Sequence, residues 1–203
     1  MKKSVFILLL SISFISNSYC QKIENLDFIS PFNNGVAAIK KGDHWGFVDK
    51  EGTLVVPYRK DLVTTKHEDG QYPIFNSGRC LYTIKKGGIN YFGYINKQGR
   101  TIIEPQFLNA TNFNEGRAIV LNLDKENLGQ NNVLNKNVIS YSYAHVIINV
   151  DGKIMHHLTG YKSTSLLPEF IKTPPTITTE LLSDNLYMIQ QDNGKITIKN
   201  VNE

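Results

Sequence analysis

An eight-residue segment that occurs twice constrains the fold of this chain more than any other feature. Residues 45–52 read Trp-Gly-Phe-Val-Asp-Lys-Glu-Gly, and residues 92–99 repeat the pattern as Phe-Gly-Tyr-Ile-Asn-Lys-Gln-Gly. In a β-strand alternate side chains share a face, so the two aromatics of each copy lie on one face and the glycine between them lies on the other. The Asp or Asn and the closing glycine favour a tight turn. The segment therefore predicts a strand that ends in a hairpin.

The two copies supply the candidate structural and binding positions of the chain. They are Trp45, Gly46, Phe47, Gly52, Phe92, Gly93, Tyr94 and Gly99. A glycine inside a strand often marks the close approach of another backbone, which we expect at both strand glycines. The aromatics either pack between repeats or lie exposed in pairs that cradle a sugar. Packing is favoured because a stack of β-repeats needs large side chains to fill it.

A second marker, Phe-Asn-x-Gly, precedes each repeat. It occurs at residues 32–35, 75–78 and 113–116, with a degenerate form at residues 182–185. A short apolar run of strand length follows each occurrence, and a third strand ends at Pro57 or Pro105. Each complete unit is therefore predicted to be a three-stranded antiparallel meander of about 40–45 residues, a period typical of repeat architectures.

The markers divide the chain into units. They predict repeats at residues 28–60, 72–108 and 113–158, a linker at 159–181 and a degenerate terminal β-hairpin at 182–203. An Asn-rich insertion at 122–137 is expected to be an exposed loop or a long hairpin arm. Helical spacing is absent after the first twenty residues, so the mature chain is predicted to be all-β. Its hairpin repeats would form a stacked array or a small barrel-like or propeller-like assembly of sheets.

The first twenty residues have the pattern of a secretory signal peptide. Lys2 and Lys3 precede an apolar core, and small and polar residues follow, with cleavage expected after Cys20. A lipid anchor on Cys20 is the alternative, although Tyr19 stands where lipoprotein signals usually have a small residue. The protein is therefore predicted to be exported, periplasmic or extracellular, with no transmembrane span in the mature chain.

Composition and motifs argue against several functions. Removal of Lys2 and Lys3 lowers the formal net charge from +4 to +2, too small for a nucleic-acid-binding surface. Cys80 would be the one cysteine left, and it occupies the repeat position of Ala37 and Ala118, which predicts a buried, inert thiol. Hydrolase, phosphate-loop and metal-binding motifs are absent from the sequence, so no catalytic residue, metal or cofactor is expected.

The repeated segment resembles the WG repeat of bacterial proteins. The resemblance rests on residues 45–52 with Pro57 and Tyr58, on residues 35–40, and on residues 104–107. It implies a β-repeat protein that is often exported. We therefore expect an exported, non-enzymatic module that binds or scaffolds a protein partner at the cell envelope, in an unknown oligomeric state. The alternative is a glycan-binding or cell-wall-binding module that uses aromatic platforms, and a hydrolase comes last.

Overall fold

The computed structural model describes residues 23–131 and 135–202, and the predicted signal peptide with Cys20 lies outside them. The described residues form seventeen strands and contain no helix. The strands are β1 (Phe28–Ile29), β2 (Val36–Lys41), β3 (His44–Asp49), β4 (Leu54–Arg59), β5 (Thr65–His67), β6 (Gly70–Tyr72), β7 (Phe75–Asn76), β8 (Arg79–Lys86), β9 (Ile89–Ile95), β10 (Thr101–Phe107), β11 (Arg117–Asn131), β12 (Lys136–Asn149), β13 (Ile154–His157), β14 (Lys162–Thr164), β15 (Thr179–Ser183), β16 (Leu186–Gln190) and β17 (Ile196–Asn200).

Fifteen of these strands form four successive antiparallel sheets, which we call the first to fourth units. The first unit is β1 to β4, the second is β7 to β10, the third is β11 to β14 and the fourth is β15 to β17. The hairpin of β5 and β6 lies between the first two units in sequence. Sequence neighbours pair within each sheet, with β14 added beside β12. The predicted all-β fold of hairpin repeats is therefore confirmed, and its sheets are small and open.

The units stack in sequence order because each inner sheet is apolar on both faces. In the second unit Cys80 and Tyr82 belong to the core shared with the first unit, whereas Leu81 belongs to the core shared with the third. This alternation is the two-residue period of a strand. A further core joins Ile119 of the third unit to Tyr187 of the fourth. The result is a stacked array of repeats.

The three Phe-Asn-x-Gly markers form two-residue turns near the start of the first three units. Asn34 and Gly35 have φ angles of 51° and 82°, and the equivalent pairs at 77–78 and 115–116 also have positive φ. Two positive φ angles define a type I′ turn, whose twist matches that of antiparallel strands. The turns also join the units, because the Asn34 Nδ2 donates a hydrogen bond of 2.9 Å to the Phe75 carbonyl oxygen. In the same way the Gly116 N–H donates to the Ser77 Oγ at 2.9 Å.

The Asn-rich insertion is a hairpin arm and not a loop. The pairing of β11 with β12 extends through Asn122, opposite Ala144, and Lys125, opposite Tyr141. A sequence rich in asparagine carries little strand propensity of its own. Here the ladder that starts in the apolar part of the hairpin continues outward and satisfies the backbone of the polar part.

The segment expected to be a linker contributes two strand pairings. Within it β14 pairs with β12 from Lys162, opposite Tyr143, and β15 begins at Thr179, opposite Ile189. The fourth unit is consequently a sheet of three strands, where the sequence predicted a hairpin of two. The physical reason is apolar alternation at the end of the segment, where Leu181 packs against the core between the third and fourth units.

Candidate functional site

The four motif aromatics are all buried. Trp45, Phe47, Phe92 and Tyr94 lie in the cores between consecutive units. Phe47 meets the ring of Phe75 edge-on at 4.6 Å between centroids, and Tyr94 meets Phe113 in the same way at 4.7 Å. In both cases the second motif aromatic contacts the phenylalanine that starts the next unit.

The buried aromatics fill the stack and offer no exposed pair to a sugar. The Tyr94 hydroxyl donates a hydrogen bond of 2.6 Å to the Thr111 carbonyl oxygen, and burial raises the pKa of Tyr94. Trp45 packs edge-on against Phe28, with centroids 5.8 Å apart. The glycan alternative therefore has no support at these particular rings.

The motif glycines have two separate structural roles. Gly46 lies beneath β4 and Gly93 beneath β10, the last strand of each unit, so that a Cβ on Gly46 would lie 2.9 Å from the Val56 carbonyl oxygen. The close approach that the sequence predicted is therefore present. Gly52 and Gly99 close the turn after the motif strand with φ angles of 81° and 72°.

The polar residue that opens the turn after the motif strand also has a recurrent structural role. Asp49, Asn96 and Asn149 each accept two backbone N–H bonds on the side-chain oxygen. An Asp or Asn side chain that binds the backbone ahead of it stabilises such a turn. These positions are therefore structural in three units of the array.

Cys80 lies in the core between the first and second units. It is fully buried, and this burial raises the pKa of its thiol. The thiolate is the reactive form of cysteine, so a buried thiol with a raised pKa is a poor nucleophile. This environment matches the packing role predicted from Ala37 and Ala118, which are also buried.

A cleft of about 570 Å³ lies between the third and fourth units. Its walls come from Tyr143 and His145 on β12, residues 159–162 before and within β14, Thr176 and Thr178 before β15, and residues 189–192 at the end of β16. Small-molecule sites commonly have volumes of about 300–1,000 Å³. The cleft therefore has the size of a binding site, and no motif residue of the first two units lines it.

His145 is the buried polar residue of this cleft. It is 6% exposed, and its Nδ1 lies 2.6 Å from the Thr179 Oγ1. Burial first, and the charge of Lys162 second, lower the pKa of His145 below its usual value of 6.5. The imidazole is therefore neutral at neutral pH.

Two opposite charges at the rim of the cleft bind each other. The Lys162 Nζ lies 2.8 Å from both carboxylate oxygens of Asp192, and this hydrogen bonding raises the pKa of Lys162. Asp192 is the single carboxylate among the lining residues. The described residues also contain no cluster of three or more His, Cys, Asp or Glu suited to a metal ion.

Sequence reasoning did not identify this cleft, although one signal points to it. His145 and Val146 replace the aromatic-glycine pair of the repeat, Phe92 and Gly93 in the second unit. In the structure this departure from the repeat lies on β12, where the regular part of the array ends. Residues of the segment 159–178 line the same cleft as His145. A break in the repeat pattern was therefore more informative about a site than the repeat itself.

The fold defines a protein of tandem antiparallel β-repeats. A family model described as the WG containing repeat matches residues 23–43, 45–59 and 92–125, which include the motif strands and the start of the third unit. These three segments therefore match the WG repeat, as the resemblance predicted. No curated protein and no solved structure matches the chain. No helix long and apolar enough to cross a membrane occurs in the part of the chain that the structure describes.

Proposed function

We propose that this WG-repeat protein is an exported, non-enzymatic scaffold that binds a protein partner at the cell envelope. The observation that carries the proposal is the outer face of the fourth unit. Ile196 and Ile198 are 62% and 60% exposed there, and Met188 pairs with Ile198 across the sheet. We call these three residues the terminal face.

The terminal face is the surface on which the next sheet of the array would pack. Ala38, Leu81 and Ile119 occupy the position of Met188 in the first three units, and each is buried in the core shared with the following unit. In the fourth unit no sheet of the described residues covers that surface. Exposed apolar patches of this kind commonly mark protein interaction sites.

The stack also indicates what kind of partner would fit. In each of the three internal interfaces an apolar sheet face packs against another apolar sheet face. We infer that the partner is a folded protein that presents an apolar β-sheet face, so that the complex continues the array. Its envelope location rests on the apolar segment after Lys2 and Lys3, which has the pattern of an export signal.

Site-specific photo-crosslinking in the native host tests the partner. A photoreactive phenylalanine analogue replaces Ile198, and a matched control replaces Ile154, which is 43% exposed on β13. We expect a discrete crosslinked band from position 198 alone. The partner is then identified by mass spectrometry, and the complex is reconstituted from the two purified proteins.

Three outcomes decide between the alternatives. Loss of the reconstituted complex in an Ile196→Asp, Ile198→Asp double variant supports the scaffold proposal. Bands of equal yield at positions 198 and 154 contradict it, and so does a band that contains only a second copy of this chain. Export is tested separately by cell fractionation and by the mass of the exported protein. A chain retained in the cytoplasm with residues 1–20 intact rejects the envelope location.

A further inference from the structure

We propose that the cleft between the third and fourth units binds a neutral, hydroxyl-rich ligand of one or two pyranose sugar rings. The proposal concerns a different surface from the terminal face and does not depend on a protein partner. It rests on the size of the cleft, its polar groups, its aromatic rings and its balance of charge.

The polar groups of the cleft are mixed donors and acceptors. Thr159, Thr176 and Thr178 supply hydroxyl groups, and Gln190 and Gln191 supply amides. Two of these groups also bind within the protein, because the Thr159 Oγ1 accepts a hydrogen bond from the His145 N–H and the Gln191 Nε2 donates one to the Thr197 Oγ1. A hydroxyl both donates and accepts hydrogen bonds, and a primary amide carries donors and an acceptor side by side. Sugar hydroxyls have the same double character, so a lining of this composition can pair with several of them at once.

Two tyrosines give the cleft aromatic surface. Tyr143 on β12 is partly buried, and Tyr161 is 51% exposed. A tyrosine ring combines an apolar face with a polar tip, which suits a ligand that has both C–H faces and hydroxyl edges. A pyranose ring has this combination, whereas a purely apolar ligand would offer no hydrogen-bond partner to the hydroxyl and amide groups of the lining.

The charges of the cleft argue against an ionic ligand. Lys162 and Asp192 bind each other at 2.8 Å, and they are the charged residues of the lining. His145 is neutral at neutral pH because burial lowers its pKa. An anion or a cation would have to break the ion pair to gain a partner, while a neutral ligand can leave it intact.

Saturation-transfer NMR and calorimetry on the full chain test the proposal. The probes are cellobiose, lactose, mannobiose and N,N′-diacetylchitobiose, with digalacturonate as an anionic comparison. We expect saturable binding of at least one neutral disaccharide. Tyr161→Ala should weaken it roughly tenfold, which corresponds to about 1.4 kcal/mol. Phe32→Ala is the matched control, because Phe32 is 49% exposed and lies outside the cleft.

The results separate this site from its alternatives. Neutral disaccharide binding that falls in Tyr161→Ala and is unchanged in Phe32→Ala supports the proposal, and the dispersion of the NMR spectrum confirms that both variants are folded. A second variant, Gln191→Ala, should weaken the binding of the same ligand. Binding of none of the neutral disaccharides overturns the proposal, as does binding of digalacturonate alone. Equal affinity in wild type and both cleft variants overturns it as well.

Discussion

A Cβ atom on Gly93 would collide with the main-chain carbonyl oxygen of Ile103. The pairing of β10 with β9 shifts between Ile103 and Phe107, and this irregularity brings the strand over the glycine. The same hypothetical Cβ would lie 2.8 Å from the Pro105 nitrogen. The strand that covers Gly93 is thus β10, the last strand of the same unit. A side chain at this position must displace backbone, which is far more costly than displacing a flexible side chain.

The first prediction follows from this contact. Gly93→Val should lower the free energy of unfolding by about 1–3 kcal/mol, the usual cost of overpacking, despite the higher strand propensity of valine. Urea unfolding measures the effect. Gly160→Val is the control, because a Cβ on Gly160 meets no atom within 4 Å. A midpoint for Gly93→Val equal to or above that of wild type would falsify the close approach.

The second prediction concerns the reactivity of Cys80. In a Cys20→Ser background, labelling of the native protein by a thiol reagent at neutral pH should be far slower than labelling in urea. Two causes act together, because Cys80 is fully buried and burial raises its pKa. Reagent reaches the thiol only when the protein opens. Equal labelling rates with and without denaturant would show that the site is accessible.

The third prediction concerns Glu115, which has a φ angle of 48° in the turn that starts the third unit. Asn34 has the same conformation in the first unit, at 51°. Asparagine tolerates this left-handed region better than glutamate, so Glu115→Asn should stabilise the protein by about 0.5–1 kcal/mol. Glu115→Gln controls for the loss of charge. Equal stabilisation by both substitutions would assign the effect to charge and not to backbone conformation.

The fourth prediction is a pH dependence that comes from His145. Burial lowers the pKa of His145 in the folded protein below its unfolded value of 6.5. The unfolded chain therefore binds a proton first as the pH falls, and the free energy of unfolding decreases. The stabilising contribution is fully present above pH 6.5 and is lost as the pH falls from 6.5 through the folded pKa.

A matched variant isolates this effect. His145→Gln removes the titrating group, so the stability of wild type relative to the variant should decline between about pH 7.5 and about pH 5. Urea unfolding of both proteins at each pH gives the difference. A difference that stays constant or grows toward acid pH would show that the His145 pKa is not lowered.

Much of the array could be predicted from the sequence because its repeated features depend on residues that are close together in the sequence. The Phe-Asn-x-Gly turns depend on φ angles within four residues, and the alternation of Cys80, Leu81 and Tyr82 depends on the geometry of one strand. The burial of the motif aromatics follows from the same alternation. Such features recur wherever the local pattern recurs, so one chain with several copies is enough to infer them.

The cleft and the fourth sheet were decided by tertiary structure. His145 meets Thr179 across 34 positions of sequence, and Lys162 meets Asp192 across 30. The segment between the third and fourth units contains prolines and has little strand propensity. Its pairings with β12 and β16 therefore depend on the neighbouring strands, which supply the hydrogen-bond partners. The sequence by itself determined which segments become hairpins and which faces of them are apolar. Only the stacked structure determined which of those faces were covered, because the burial of a face depends on which residues, distant in sequence, pack against it.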